Sequence, residues 1–409
     1  MNKYEISLKK HTDTFTLFSI CLLAVCVSLG TATVSIAKLL VLIAFISQLF
    51  FDRVEIFKFE IKKINYIFIW MTIACIWMLI SMAWSDASIS TQWKYFYAHT
   101  RFLWLGIIYY LIKSRERGLI VLKWLVIGQI AVVAISWLMW LGFELPFTRR
   151  PLSRGIAFTG YLEQPVMTTL VLIVLWHLRG YWSLIWSKWF LNFIMTIMAL
   201  NIIFVMSGRS GYFVFICFVS LQIYKNLPYR YRWLGIISPL LLALIFSSFS
   251  SVFYERIIQI PINTYDFFNN NITTSEGGRL EMWLTIIKGI IKNPLLGSGI
   301  GSLSNVYTLN GGADVHTLSQ PHQQYLFWLS EFGLIGFLIF MMFFYTLIKD
   351  ASNISSEARS GIISISLVLF VMGMFNCPFF GVGMGEFFFL ELAAFLTIRR
   401  TIGVSGNSA

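Results

Sequence analysis

His322 stands in the run Gln320-Pro321-His322-Gln323-Gln324-Tyr325, between a long polar loop and the apolar stretch from Leu326 to Ile348. An imidazole titrates near neutrality and can take a proton from a hydroxyl group. The spacing predicts that this imidazole sits where water meets an apolar phase, at the start of a helix. Pro321 suits the first helical position, since the amide hydrogen it lacks would be unpaired there. Free N–H groups and the helix dipole at such a start favour an anion beside His322. Two arginines share the same predicted setting. Arg209 opens a helix after the short turn Ser207-Gly208-Arg209-Ser210-Gly211, and Arg279 opens the amphipathic run that ends at Lys292. A cation at a helix start costs about 0.3–1 kcal/mol, which an anionic ligand would offset. His322, Arg209 and Arg279 together predict a positive pocket for a phosphate group, with one titratable base in it.

The elements that must position these groups follow from composition. Of 409 residues, 57% are hydrophobic and 12% charged, against roughly a quarter charged in a soluble enzyme. The apolar residues form blocks long enough to carry a helix across about 30 Å of hydrocarbon, and they do not show the alternation of a β-barrel. The chain is expected to be an all-α polytopic membrane protein, one integral domain over residues 1–409. Twelve spans are expected: 15–30, 34–51, 65–84, 96–112, 119–143, 165–178, 189–206, 210–225, 233–252, 323–348, 360–376 and 386–398. A large loop, 253–322, joins the ninth to the tenth. Phe15–Leu29 is read as a retained first span, because no convincing A-x-A site follows it.

Within that loop Leu280, Trp283, Leu284, Ile287 and Ile291 fall on one helical face, and Glu281, Thr285, Lys288 and Lys292 on the other. That pattern suits a helix lying on a membrane surface. Cytoplasmic loops are enriched in Lys and Arg. Arg53, Lys58, Lys62, Lys63, Lys113, Arg115, Arg117, Lys225, Arg230, Arg232, Arg399 and Arg400 then place both termini inside and the 253–322 loop outside.

The basic residues that break this rule are further candidates. Arg149, Arg150 and Arg154 fall in an outer loop, and Lys38 and Arg101 inside spans near their outer ends. Charge within a membrane marks function by default; snorkelling to lipid phosphates is the alternative for Lys38 and Arg101. The net charge of +12 is scattered between spans, so nucleic acid is not an expected partner. The five cysteines form no C-x-x-C pair, and no Asp-x-Asp, H-E-x-x-H or G-x-S-x-G motif occurs. No metal and no cofactor is expected. The Asn293–Gly301 run is a glycine-rich turn without the Gly-Lys-Ser/Thr of a nucleotide loop. His316 is the one rival to His322 as a base.

His322-Gln323, nine residues, Gly333, two residues and Gly336 match the H-[NSQ]-x9-G-x-x-[GTY] signature of the bacterial O-antigen ligases, and the chain resembles that family. Further similarities to the wider superfamily of ligases, O-antigen polymerases and O-oligosaccharyltransferases are Gly208-Arg209-Ser210-Gly211, Gly278-Arg279 with Trp283, the Asn293-Pro294-Leu295-Leu296-Gly297 turn, and Arg154-Gly155 before Gln164-Pro165. Family members often carry Asn where this chain has Gln323; the amide is retained. The resemblance implies a GT-C-type, inverting, metal-independent glycosyltransferase of lipopolysaccharide biosynthesis. It would move glycan from undecaprenyl diphosphate to lipid A–core on the periplasmic face of the inner membrane. His322 and Arg279 would be catalytic. Arg209, Arg154, Arg150, Arg149, Lys38, Arg101 and Gln323 would bind substrate. A polymerase or protein O-oligosaccharyltransferase using the same donor is the alternative within the superfamily. A flippase for lipid-linked sugar is the alternative outside it, although its ionisable groups would be expected near mid-span.

Overall fold

In an apolar phase every backbone N–H and C=O must be satisfied internally, so runs as apolar as these fold as helices. The computed structural model describes residues 3–51, 65–143, 145, 155–269, 275–312 and 319–398, and among these there is no β-strand. The helices are α1 (Lys3–Cys26), α2 (Thr31–Phe51), α3 (Tyr66–Ser81), α4 (Ile89–His99), α5 (Leu103–Ile112), α6 (Arg115–Trp140), α7 (Glu163–His177) and α8 (Lys188–Leu200). They continue with α9 (Arg209–Asn226), α10 (Trp233–Phe249), α11 (Ser251–Phe268), α12 (Ser275–Lys292), α13 (Leu303–Leu309), α14 (Gln324–Asp350), α15 (Ser356–Gly373) and α16 (Met384–Leu396).

All twelve apolar stretches fall on helix, but they are not twelve long helices. Among the described residues seven helices are long and apolar enough to cross a membrane: Thr31–Phe51, Tyr66–Trp84, Arg115–Trp140, Lys188–Val205, Tyr229–Phe249, Gln324–Asp350 and Ser356–Gly373. α5 continues α4 through the turn Thr100–Phe102, so helical backbone runs from Ile89 to Ile112. α7 and α16 have 15 and 13 residues, short of the roughly 20 that a full crossing takes, and nearly every residue of both is buried.

α3 packs on α14, α1 on α2 and α6, and α9 on α7, α10 and α15. Trp70 meets Phe102 and Phe343, and Trp328 stacks on Phe340, in one continuous apolar core. Polar side chains between helices pair with one another, as Gln129 does with Thr168 and Asn201 with Ser136, both at 2.9 Å. The Asp350 carboxylate, at the end of α14, accepts from the N–H groups of Tyr66 and Ile67 at 2.9 Å each. It thus caps α3, whose first amides have no partner within the helix.

Among its described residues the 253–322 segment contains three helices where the sequence predicts one. α11 starts at the N-cap Ser250, whose side chain accepts from Phe253 N–H at 3.2 Å, and it continues through Pro261. α12 begins at Ser275, so Arg279 lies in its second turn and not at its start. On α12 Leu284, Ile287 and Ile291 face outward, while Thr285, Ile286 and Gly289 are buried. Glu281, on the inner side, accepts from the Tyr307 hydroxyl at 2.6 Å.

Candidate active site

Where α8 ends, a π turn over Asn201–Val205 closes with Met206 N–H on Asn201 C=O at 3.0 Å. The chain then runs extended to Gly208 and re-enters helix at Arg209, as the sequence predicts. Gly208 is required by close approach: a Cβ there would lie 2.2 Å from the carbonyl oxygen of Tyr161. That contact seats the start of α9 against the start of α7, and Arg209 projects into a cavity of about 610 Å³. Arg256 of α11, Glu276 and Arg279 of α12, and Tyr161 also line it. Its remaining wall is largely apolar, with Ile156, Leu162, Phe213, Ile260, Leu280, Trp283 and Phe375.

Arg209 is not a free cation. It pairs with Glu276, and its Nη2 donates to Gln259 Oε1 at 2.8 Å. Glu276 also accepts from the Asn263 amide. Arg279 has no carboxylate within ion-pair distance among the described residues. Burial holds its guanidinium below the usual arginine range, with Tyr161 acting in the opposite sense, and it stays charged at any working pH. Arg256 and Glu276 are functional candidates that the sequence reading missed. Both lie on turns of helix that it did not place.

His322 is tied to this cavity from two sides. Trp283 Nε1, on α12, donates to Pro321 C=O at 2.8 Å. Asn376, next to the cavity residue Phe375, is close enough to act on the imidazole. The predicted helix start, with Pro321 as its first residue, is three residues too early. α14 begins at Gln324, and Gln323 is its N-cap, its side chain accepting from Leu326 N–H. His322 precedes the helix with φ +52, a left-handed conformation uncommon outside glycine. The backbone there is strained, and strain of this kind gathers at functional sites. Its Nδ1 is buried and finds no hydrogen-bond partner among the described residues. Desolvation by burial lowers the imidazole pKa, the Arg279 charge lowers it further, and Asn376 opposes them. The net result is a ring held neutral at ordinary pH.

The signature's first glycine explains how the loop is held. Gly333 interrupts α14 with φ +63 and ψ −167, a region essentially reserved to glycine. The turn after α12 fills the break. Ser298 and Gly299 N–H donate to Ser330 and Glu331 C=O at 2.9 and 2.8 Å, and Leu334 and Ile335 N–H donate to Pro294 and Leu295 C=O at 2.8 and 3.3 Å. Non-helical backbone at this depth is tolerated because the protein itself buries and pairs it. Glu331 secures the same joint. Its side chain bonds His99 Nε2 at 3.0 Å and Gly301 N–H at 2.9 Å, with both members of the His–Glu pair fully buried.

The remaining predicted residues separate. Lys38 and Arg101 do not line the cavity. Lys38 Nζ lies 2.8 Å from Glu386 Oε1 and 4.5 Å from the Trp104 ring centre. Arg101 donates to Phe380 C=O and feels the same Glu386 carboxylate. Both are satisfied within the bundle. Arg149, Arg150, Arg154 and His316 lie outside the described residues.

Residues 193–341 match the family described as O-antigen ligase. That stretch runs from α8 to α14 and so contains Arg209, Arg256, Glu276, Arg279, His322 and the Gly297–Gly333 joint. It supports the resemblance drawn from the His322 signature. No curated protein matches the chain.

Proposed function

We propose that this chain, whose residues 193–341 are of the O-antigen ligase family, is a GT-C-type, inverting glycosyltransferase that works without a metal ion. It moves a glycan from undecaprenyl diphosphate to a sugar of lipid A–core, at the periplasmic surface of the inner membrane, with both termini cytoplasmic. The observation that carries the reading is the meeting of Arg209, Arg256 and Arg279 in one part-apolar cavity beside an imidazole with a depressed pKa.

The chemistry follows from those groups. The neutral His322 takes the proton of the acceptor hydroxyl. The oxygen so freed attacks the anomeric carbon, and the bond from that carbon to the diphosphate oxygen breaks. The electron pair leaves with the diphosphate, where negative charge grows. Guanidiniums already in place stabilise that charge without reorganising, and their planar forks fit phosphate oxygens. The apolar wall, with Ile260, Leu280 and Trp283, suits the first isoprene units of the lipid. Lys38 and Arg101 act on this reading by fixing Glu386 and the 376–380 segment that reaches His322.

The test is a two-substrate assay of the purified protein. Lipid-linked donor is offered with lipid A–core, or with further donor alone. Glycan attached to lipid A–core supports the ligase. Lengthened donor with no attachment assigns the chain to polymerisation instead, and no transfer in either arm refutes the proposal.

A further inference from the structure

A carboxylate in a phosphate site weakens the binding of every anion, so Glu276 calls for a reason. It lies on the first turn of α12, lines the cavity, pairs with Arg209 and accepts from Asn263. Among the described residues the cavity's charged lining is three guanidiniums and this one carboxylate. A diphosphate linking a lipid to a sugar is a diester at both ends, with one negative charge on each phosphorus. Glu276 therefore lowers the positive charge that the guanidiniums present to it. Once the sugar has left, the terminal phosphate gains a further ionisable oxygen with a pKa of about 6. The product is thus more anionic than the substrate, and a cavity of bare arginines would hold it more tightly still.

Resting on the reading of this cavity as the donor site, we propose that Glu276 is a specificity-determining residue. It lowers the cavity's positive charge and so limits retention of the more highly charged free lipid diphosphate. Through its ion pair it also holds Arg209 at the cavity wall, where a phosphate will need it. Like charges a few ångströms apart in a part-buried setting repel by an amount that changes affinity by about an order of magnitude or more. That is enough to decide whether product leaves.

The experiment measures KM for the lipid-linked donor and Ki for undecaprenyl diphosphate, side by side, in the wild type, Glu276→Gln and Glu276→Asp. Glu276→Gln keeps the shape of the side chain and one acceptor oxygen but removes its charge. Both constants are expected to fall, with Ki falling roughly tenfold further than KM. Glu276→Asp keeps the charge and is expected to hold the ratio of the two near the wild-type value. Constants that fall in parallel, or do not change, overturn the proposal. An equal change of ratio in both variants overturns it too, because the side chain's length and not its charge would then be responsible. Failure of the donor-site reading is separately visible: Arg279→Ala would then transfer glycan at the wild-type rate.

Discussion

Replacing Gly333 with alanine tests whether the joint between α14 and the 294–299 turn holds the catalytic loop. At φ +63 and ψ −167 a side chain costs about 1–3 kcal/mol in backbone strain alone. The new Cβ would lie 2.3 Å from the Leu295 carbonyl oxygen and 2.5 Å from Gly297 N. Both are backbone atoms, so the clash is not relieved by turning a side chain. Separating the two segments threatens the four hydrogen bonds across the break, each contributing about 0.5–1.5 kcal/mol. Losing two of them along with the strain amounts to about 3 kcal/mol, against about 1 kcal/mol for an average substitution. The same turn follows α12, which carries Arg279 and the Trp283 contact to Pro321. Gly333→Ala is therefore expected to lower the melting temperature in detergent by several degrees and to lower transfer at least tenfold. Thermal unfolding followed by intrinsic fluorescence, with the two-substrate assay on the same preparation, reads both. Wild-type transfer at an unchanged melting temperature would refute the reasoning.

Three further outcomes are expected. His322→Ala should lower the transfer rate by about 10²–10⁴, the usual contribution of a general base, while donor binding measured by lipid-diphosphate competition persists. Wild-type rates would remove His322 from the chemistry. Because burial and Arg279 lower the His322 pKa, the neutral base survives into mildly acidic solution, and activity is lost only as pH falls through that depressed value. Arg279→Gln takes away one of the lowering charges, so the acidic limb of the pH–rate profile should move to higher pH along with a raised donor KM; an unmoved limb would show that Arg279 does not act on the ring. Activity should survive EDTA, since leaving-group charge is assigned to guanidiniums; full loss restored by one divalent ion would sink that assignment.

Much of the fold was legible, because a lipid phase forces its backbone into helix and makes apolar runs visible. All twelve runs are helical, yet α7 and α16, at 15 and 13 residues, are shorter than the roughly 20 residues of a full crossing. α11 was not legible. Pro261 and the scattered polar residues Gln259, Asn263 and Asp266 read as loop, so Arg256 went unseen on it. The joint at Gly333 had a signal in the signature itself, a glycine amid helix-forming residues. The sequence could not say that the other half of the joint lay at residues 294–299. Glu331 was equally hidden: its partner His99 is 232 positions away.

The arginines and Lys38 show where charge logic succeeds and where it stops. A cation at a membrane boundary must be satisfied, and the sequence marks each such cation as exceptional. It does not say by what. Lys38 meets Glu386, 348 positions along the chain, and that carboxylate discharges the demand a ligand was expected to fill. Arg209 has Glu276. Arg256 and Arg279 line the same cavity with no carboxylate at ion-pair distance among the described residues, and Arg279 is the one whose field reaches the imidazole. The unmet charge and the base with the depressed pKa therefore coincide, and it is their coincidence, more than either group alone, that points to an anion leaving as a proton is taken.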